Sequence, residues 1–174
     1  MLSTCHIDSP LGPITLATTE QGLCGLWFDG QKHGPTESDR SHWQPDTDHP
    51  VLKATADCLK LYFEGEPVVF NMALDLSAGT PFQQSVWLAL LKIPLGQSLS
   101  YGGLARHVDK PTAVRAVGSA VGRNPVSIIV PCHRILGAHG QLTGYAGGLW
   151  RKQALLQLED RTLGLPCSAP LLTE

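Results

Sequence analysis

Residues 124–137 read NPVSIIVPCHRILG. The run Ser127–Val130 is apolar and rich in β-branched residues, it stops at Pro131, and Cys132, His133 and Arg134 follow at once. Such a run fits a short buried strand, and Pro131 closes it because proline has no N–H to give a ladder. A lone cysteine behind a strand is ordinarily an inert core residue. Three features oppose that here. The strand ends just before Cys132. His133 and Arg134 bring polar groups that a dry core would exclude. A cysteine leaving a strand for a helical turn also meets free backbone N–H groups that stabilise thiolate. A lowered thiol pKa is the expected consequence, and thiolate is the nucleophilic form.

Just upstream, SYGGLARHV (100–108) reads as a short helix, DK (109–110) as a tight turn and PTAVRAVGSAVGR (111–123) as a second helix beginning at Pro111. Two short helices across a brief turn outline a helix-turn-helix. At about 100° per residue, Ala113, Val117, Ala120 and Val121 share one side of the second helix. Arg115, Gly118, Ser119 and Gly122 occupy the other. Glycine inside a helix costs about 1 kcal/mol relative to alanine, so a bare face calls for a reason. Close approach of an anionic backbone beside Arg115 is one, and tight packing on another helix of the same chain is the other.

Further toward the start, Thr80 is placed to N-cap a helix over FQQSVWLALLKI, with Pro81 in its first turn and Pro94 and Gly96 ending it. TCHIDS, GPITLATT and GLCGLWFD read as the strands of a small meander, and residues 30–50 as a loop. HPVLKATADCLKLYFEG carries a helical face of Leu52, Ala56, Leu59 and Phe63 and stops at Gly65; PVVFNMALDL returns to strand. The fold class expected is α/β in two subdomains, residues 1–76 as support and 77–174, mostly helical, with the helix-turn-helix.

The 174 residues suit one sizeable domain or two small ones. The formal charge of −2 conceals a split: 4 basic against 11 acidic residues up to residue 76, and 9 against 4 beyond it. A basic second half points to a polyanion contact confined there. Five cysteines (5, 24, 58, 132, 167) are odd in number and scattered, which fits reduced thiols in the cytoplasm better than a disulfide framework. No ligand-spaced cluster suggests a metal, no apolar run suggests a membrane span, and no cofactor motif is present.

The run NPVSIIVPCHRILG, followed by TGYAGGLWRKQALLQLE, resembles the O6-alkylguanine-DNA alkyltransferase (methylated-DNA–protein-cysteine methyltransferase) family. The resemblance is strong over residues 80–160 and weaker over DSPLGPITLATTEQGL. It implies that Cys132 attacks the alkyl carbon on O6 of guanine and keeps the alkyl group, so that one molecule repairs one lesion. His133 matches the base that draws off the thiol proton through a water, and Glu159 the carboxylate that orients it. Tyr101 matches the donor to the leaving oxygen, and Asn124 the brace of the active-site turn. Tyr145, Ala146, Gly147 and Gly148 match the loop over a flipped base, with Ile135 near that pocket where the family usually has Val. Arg115 matches the arginine that fills the vacated stack. Ala116, Gly118, Ser119 and Gly122 would then face the minor groove, with Lys110 and Arg123 on phosphates. The partner implied is double-stranded DNA containing alkylated guanine, bound by a monomer, with clustering along DNA left open. By the same analogy the first half is ribonuclease-H-like and carries no active-site residue.

Three other functions share parts of this pattern. A cysteine hydrolase also uses Cys, His and a carboxylate but leaves the helix-turn-helix without a purpose. A DNA-binding protein that only senses alkylated bases has no need of Cys132. A transcriptional regulator of methylation damage would need a further metal-binding cysteine domain.

Overall fold

Three antiparallel strands open the chain in the computed structural model, which describes residues 1–165; Cys167 lies outside them. They are β1 (Ser3–Ile7), β2 (Ile14–Thr18) and β3 (Leu23–Phe28). Every side chain of β2 is buried, between β1 and β3 in the sheet. The segment expected as loop holds a one-turn helix, α1 (Glu37–Arg40), and a two-residue strand, β4 (Gln44–Pro45). Thr36 caps α1 reciprocally with Asp39, and β4 runs parallel to β1, giving a sheet of order β3-β2-β1-β4. Next comes α2 (Pro50–Phe63), which buries Leu52, Thr55, Leu59 and Tyr62 and ends where Gly65 turns left-handed at φ +83°.

Residues 67–76 do not form the strand expected of them. The only ladder contact is at Leu74 opposite Leu23, through Leu23 N–H to Ala73 O and Asp75 N–H to Leu23 O, 2.9 Å each. The edge of β3 is shared. Further along it, Leu26 N–H bonds Pro125 O at 2.9 Å and Ser127 N–H bonds Leu26 O at 3.1 Å. At the near end Gly22, at φ +152°, lies so close that a Cβ would stand 2.5 Å from Ala73 O.

The second half begins with α3 (Pro81–Leu90), capped by Thr80 in a capping box with Gln83. The pair β5 (Leu99–Ser100) and β6 (Ile135–Leu136) is parallel. The helix-turn-helix is α4 (Tyr101–His107) and α5 (Val114–Gly122). Asp109 makes the turn at φ +56°. The second helix starts three residues later than Pro111, because Ala113 N–H closes a turn on Lys110 O before the helix proper begins. Trp87 of α3 ties α5 down, its indole N–H donating to Ala120 O at 2.8 Å. Finally α6 (Leu149–Thr162) buries Lys152, Leu155, Leu158 and Glu159. One apolar cluster, from Leu16 and Phe28 through Leu104 and Val117 to Leu155, runs through both halves. No helix among the described residues is long and apolar enough to cross a membrane.

Candidate active site

The run before Cys132 is buried, as its composition demands, yet it is not a strand. Ile129 N–H bonds Ser127 O at 2.8 Å and Val130 N–H bonds Val126 O at 3.0 Å, winding the chain through successive turns. Ile128 sits at φ +70°, a conformation that strains a β-branched residue. Hydrophobicity reported burial here, while the backbone is held by one side chain. Asn124 accepts from Val126 N–H at 3.0 Å and donates to Val130 O at 2.7 Å, so it clamps both ends of the turn. Straight after it, Cys132–Arg134 form a single 3-10 turn.

Cys132 is 5% exposed, His133 0% and Glu159 1%. Glu159 is held on both oxygens: its Oε1 accepts from His133 Nε2 at 2.7 Å and from Arg134 Nη2 at 2.9 Å, and its Oε2 from Arg134 Nε at 3.0 Å. Burial alone would push this carboxyl up, but the His133 charge and hydrogen bond, with those of Arg134, hold it well below the usual range. With Nε2 committed as the donor, His133 Nδ1 is buried and meets no hydrogen-bond partner among the described residues. It is therefore the nitrogen free to act as a base.

The thiol departs from expectation. Burial pushes the Cys132 pKa up, and the Asn124 hydrogen bond, the Lys152 charge and the backbone N–H groups of Cys132 and His133 only partly counter this. The resting group is a thiol, so thiolate must be made when needed rather than stored.

A cavity of about 190 Å³ opens on Cys132, lined by Tyr101, Tyr145, Ala146 and Gly144. Gly118 and Gly122 of α5, and Lys32 and His33 of the first half, complete its rim. Tyr101 donates to Thr143 O at 3.0 Å. The Tyr145 hydroxyl is buried near Ser127 without meeting hydrogen-bond geometry among the described residues. Two expected pocket residues lie elsewhere. Ile135 is fully buried in β6, inside the core and off the cavity wall. Gly147 is also off the wall: a Cβ there would meet the Tyr145 ring at 2.9 Å and Phe28 at 3.2 Å, so its small size serves packing.

The outer face of α5 resolves the choice left by the wheel. Val117, Ala120 and Val121 are buried, whereas Arg115, Ala116 and Ser119 are exposed, as are Lys110 and Arg123 at its two ends. A Cβ at Gly122 would meet nothing within 4 Å, and at Gly118 only the Tyr101 ring at 3.7 Å. Packing within the chain does not require these glycines.

Three groups escaped the sequence reading. Tyr62, in the half expected to carry no active-site residue, donates its hydroxyl to Glu159 Oε1 at 2.8 Å. Arg151 links the halves, with Nε to Leu11 O at 2.8 Å, Nη1 to Gly147 O at 2.9 Å and its guanidinium 4.7 Å from the Phe28 ring centre. Lys152 is 1% exposed, and its Nζ holds Thr143 O at 3.3 Å and Gly144 O at 3.1 Å. Lys152 lies seven residues before Glu159, on the same face of α6. Burial lowers its pKa to about 8.

A stability test follows from that lysine. Between about pH 8 and the ordinary 10.5, the unfolded chain keeps a proton that the folded one has released, so stability gains with rising pH. Lys152→Met removes this gain. The stability of the variant minus that of the parent should fall by roughly 3 kcal/mol across that window, in urea titrations at a series of pH values. A flat difference rejects the assignment.

Two family descriptions match the chain: the ribonuclease-like domain of 6-O-methylguanine DNA methyltransferase over residues 5–76, and its DNA binding domain over residues 81–161. The methylated-DNA–protein-cysteine methyltransferase of Mycobacterium tuberculosis is 51% identical over 153 residues, which is 88% of this chain and 89% of that protein. The protein of the same name from Haemophilus influenzae is 40% identical over 154 residues, 88% of this chain and 84% of its own. The crystal structure of Mycobacterium tuberculosis OGT in complex with DNA aligns with a TM-score of 0.84 at 49% identity, over 92% of this chain and 94% of that one. Matched along both halves, and similar to these relatives over most of its length, the chain belongs to the 6-O-methylguanine DNA methyltransferase family.

Proposed function

We propose that this protein repairs DNA directly, moving the alkyl group from O6 of an alkylated guanine onto Sγ of Cys132, once per molecule. One observation carries the reading: Cys132 and a buried His133, whose Nε2 is fixed on Glu159 and whose Nδ1 is free, lie at the foot of a helix with an open glycine face.

The chemistry runs from these groups. His133 takes the thiol proton at Nδ1, relayed through a water, as Sγ closes on the alkyl carbon. The S–C bond forms, the C–O6 bond breaks, and its electron pair passes to the purine oxygen. Tyr101, on the cavity wall, turns its hydroxyl from Thr143 O to donate to that oxygen, and the proton held by His133 restores the balance. Guanine and a thioether remain. A thioether carbon is not activated toward water, so nothing returns Cys132 to its thiol. Raising the thiol pKa suits this sequence, since an uncharged sulfur stays unreactive until a base is seated.

A sulfur at the bottom of a cavity cannot reach O6 inside a stacked duplex, so the damaged base must turn out into it. The glycine face of α5 allows a sugar–phosphate backbone to lie directly on the helix in the minor groove, with Lys110 and Arg123 on phosphates and Arg115 in the vacated stack. Asn124 holds the turn that presents Cys132, and Ala146 and Tyr145 close over the base. Contacts of this kind are tolerant of sequence and sensitive to salt.

The test is adduct mapping. Incubation with duplex containing O6-methylguanine should leave one methyl per protein, on the peptide that holds Cys132, and none on Cys132→Ser. Repeated turnover, or methyl on another residue, overturns the reading.

A further inference from the structure

Glu159 Oε1 accepts three hydrogen bonds, and one arrives from the other half of the chain. Tyr62, in the last turn of α2, is 5% exposed and donates to this oxygen at 2.8 Å. His133 Nε2 and Arg134 Nη2 share the same oxygen. The Tyr62 ring is wedged against Phe63 and Phe70, with centroids 5.4 and 5.9 Å away, so its hydroxyl has little freedom. Burial, and then the neighbouring carboxylate, push the phenol pKa well above its ordinary value, which keeps it a neutral donor.

Arg134 already fixes the plane of the carboxylate with two bonds. A third donor on Oε1 therefore does more than hold it in place. The more of a carboxylate's charge an imidazole draws, the more imidazolium is favoured, and imidazolium has no lone pair to offer a thiol. A phenol on the same oxygen competes for that charge.

We infer that Tyr62 is a positioning residue for alkyl transfer: its hydroxyl holds Glu159 Oε1 against His133 Nε2 and moderates the pull of the carboxylate, leaving His133 Nδ1 able to accept the Cys132 proton. The inference rests on the function proposed above. It makes α2 part of the reactive machinery of a cysteine 70 residues further along the chain. The ionisable groups facing the carboxylate are Tyr62 from α2, His133 and Arg134 from the 3-10 turn and Tyr145 from the loop before α6, with Asp160 beside it on α6.

Tyr62→Phe keeps the ring and removes the donor. Single-turnover methyl transfer from duplex O6-methylguanine is followed between about pH 5 and 9, with the final methylated fraction recorded separately from the rate. The variant should be about tenfold slower at neutral pH, the scale of one hydrogen bond to a charged group. The acid limb of its profile should move to higher pH, most of the rate should return in alkali, and the final fraction should match the parent. Uniform slowing at every pH, a limb that stays in place, or an unchanged rate overturns the inference. Should Tyr62→Phe fold poorly, 3-fluorotyrosine placed at position 62 alone supplies a stronger donor of nearly the same shape. The limb must then move to lower pH, and any other result overturns the inference. If the parent protein itself transfers no methyl, it is the proposed function that fails, and the two failures are told apart.

Discussion

Glu159→Gln is expected to slow methyl transfer by about 100-fold or more and to lower stability by about 3–5 kcal/mol. The substitution is nearly isosteric but neutral. Its oxygen has lone pairs for two of the three donors now on Oε1, while its NH2 faces Arg134 Nε with two donors opposed. Arg134 is left as a cation without its counter-charge, and His133 loses the partner that fixes Nε2 as the donor. The pH dependence separates this from simple misfolding. A carboxyl held below its ordinary value of 4.5 contributes stability that is fully present above that pH and lost as pH falls beneath it. The gap between parent and variant should therefore be widest near neutrality and narrow below about pH 4.5. Urea unfolding over that range measures it. A gap independent of pH would remove the ion pair from the account.

Arg115→Ala should cut transfer from duplex DNA by about 100-fold and leave transfer from free O6-methylguanine unchanged. Turning a base out of the stack requires a few kcal/mol, and a side chain occupying the gap offsets that only where a stack exists. One factor of ten in rate corresponds to about 1.4 kcal/mol, so the duplex effect matches the stacking lost. Because Arg115 is exposed on α5 and is not among the residues lining the cavity on Cys132, the free-base reaction has no reason to change. Equal losses on both substrates would withdraw the proposed role.

Much of this molecule was legible in its sequence, and the misses have physical causes. The cap at Thr80 and the apolar spacing of α2 and α3 are local signals, and each produced its helix. The buried run before Cys132 misled because apolar residues report burial, whereas a side chain of Asn124 and a left-handed Ile128 set its backbone. Residues 67–76 misled for a similar reason: β3 has a single outer edge, and two segments divide it. Within the site, the histidine and carboxylate followed from the motifs that carry the family resemblance. Tyr62 could not, since 97 residues separate it from the oxygen it donates to and no periodicity crosses that distance. The thiol pKa was misjudged because neighbouring charges can be read from sequence, while depth beneath the surface cannot.

The hydrophobic interior has no seam where composition changes sign. Phe28 and Leu26 of the opening sheet lie in the same cluster as Ile135 and Leu155, and the sheet edge itself grips the turn that leads to the reactive sulfur. A fragment cut at the border of acidic and basic halves would inherit every group named by the motif and still be a different object. It would have raw faces where the missing partner packed, and a catalytic anion short of one proton donor. Scaffold and reagent are, in this chain, a single piece.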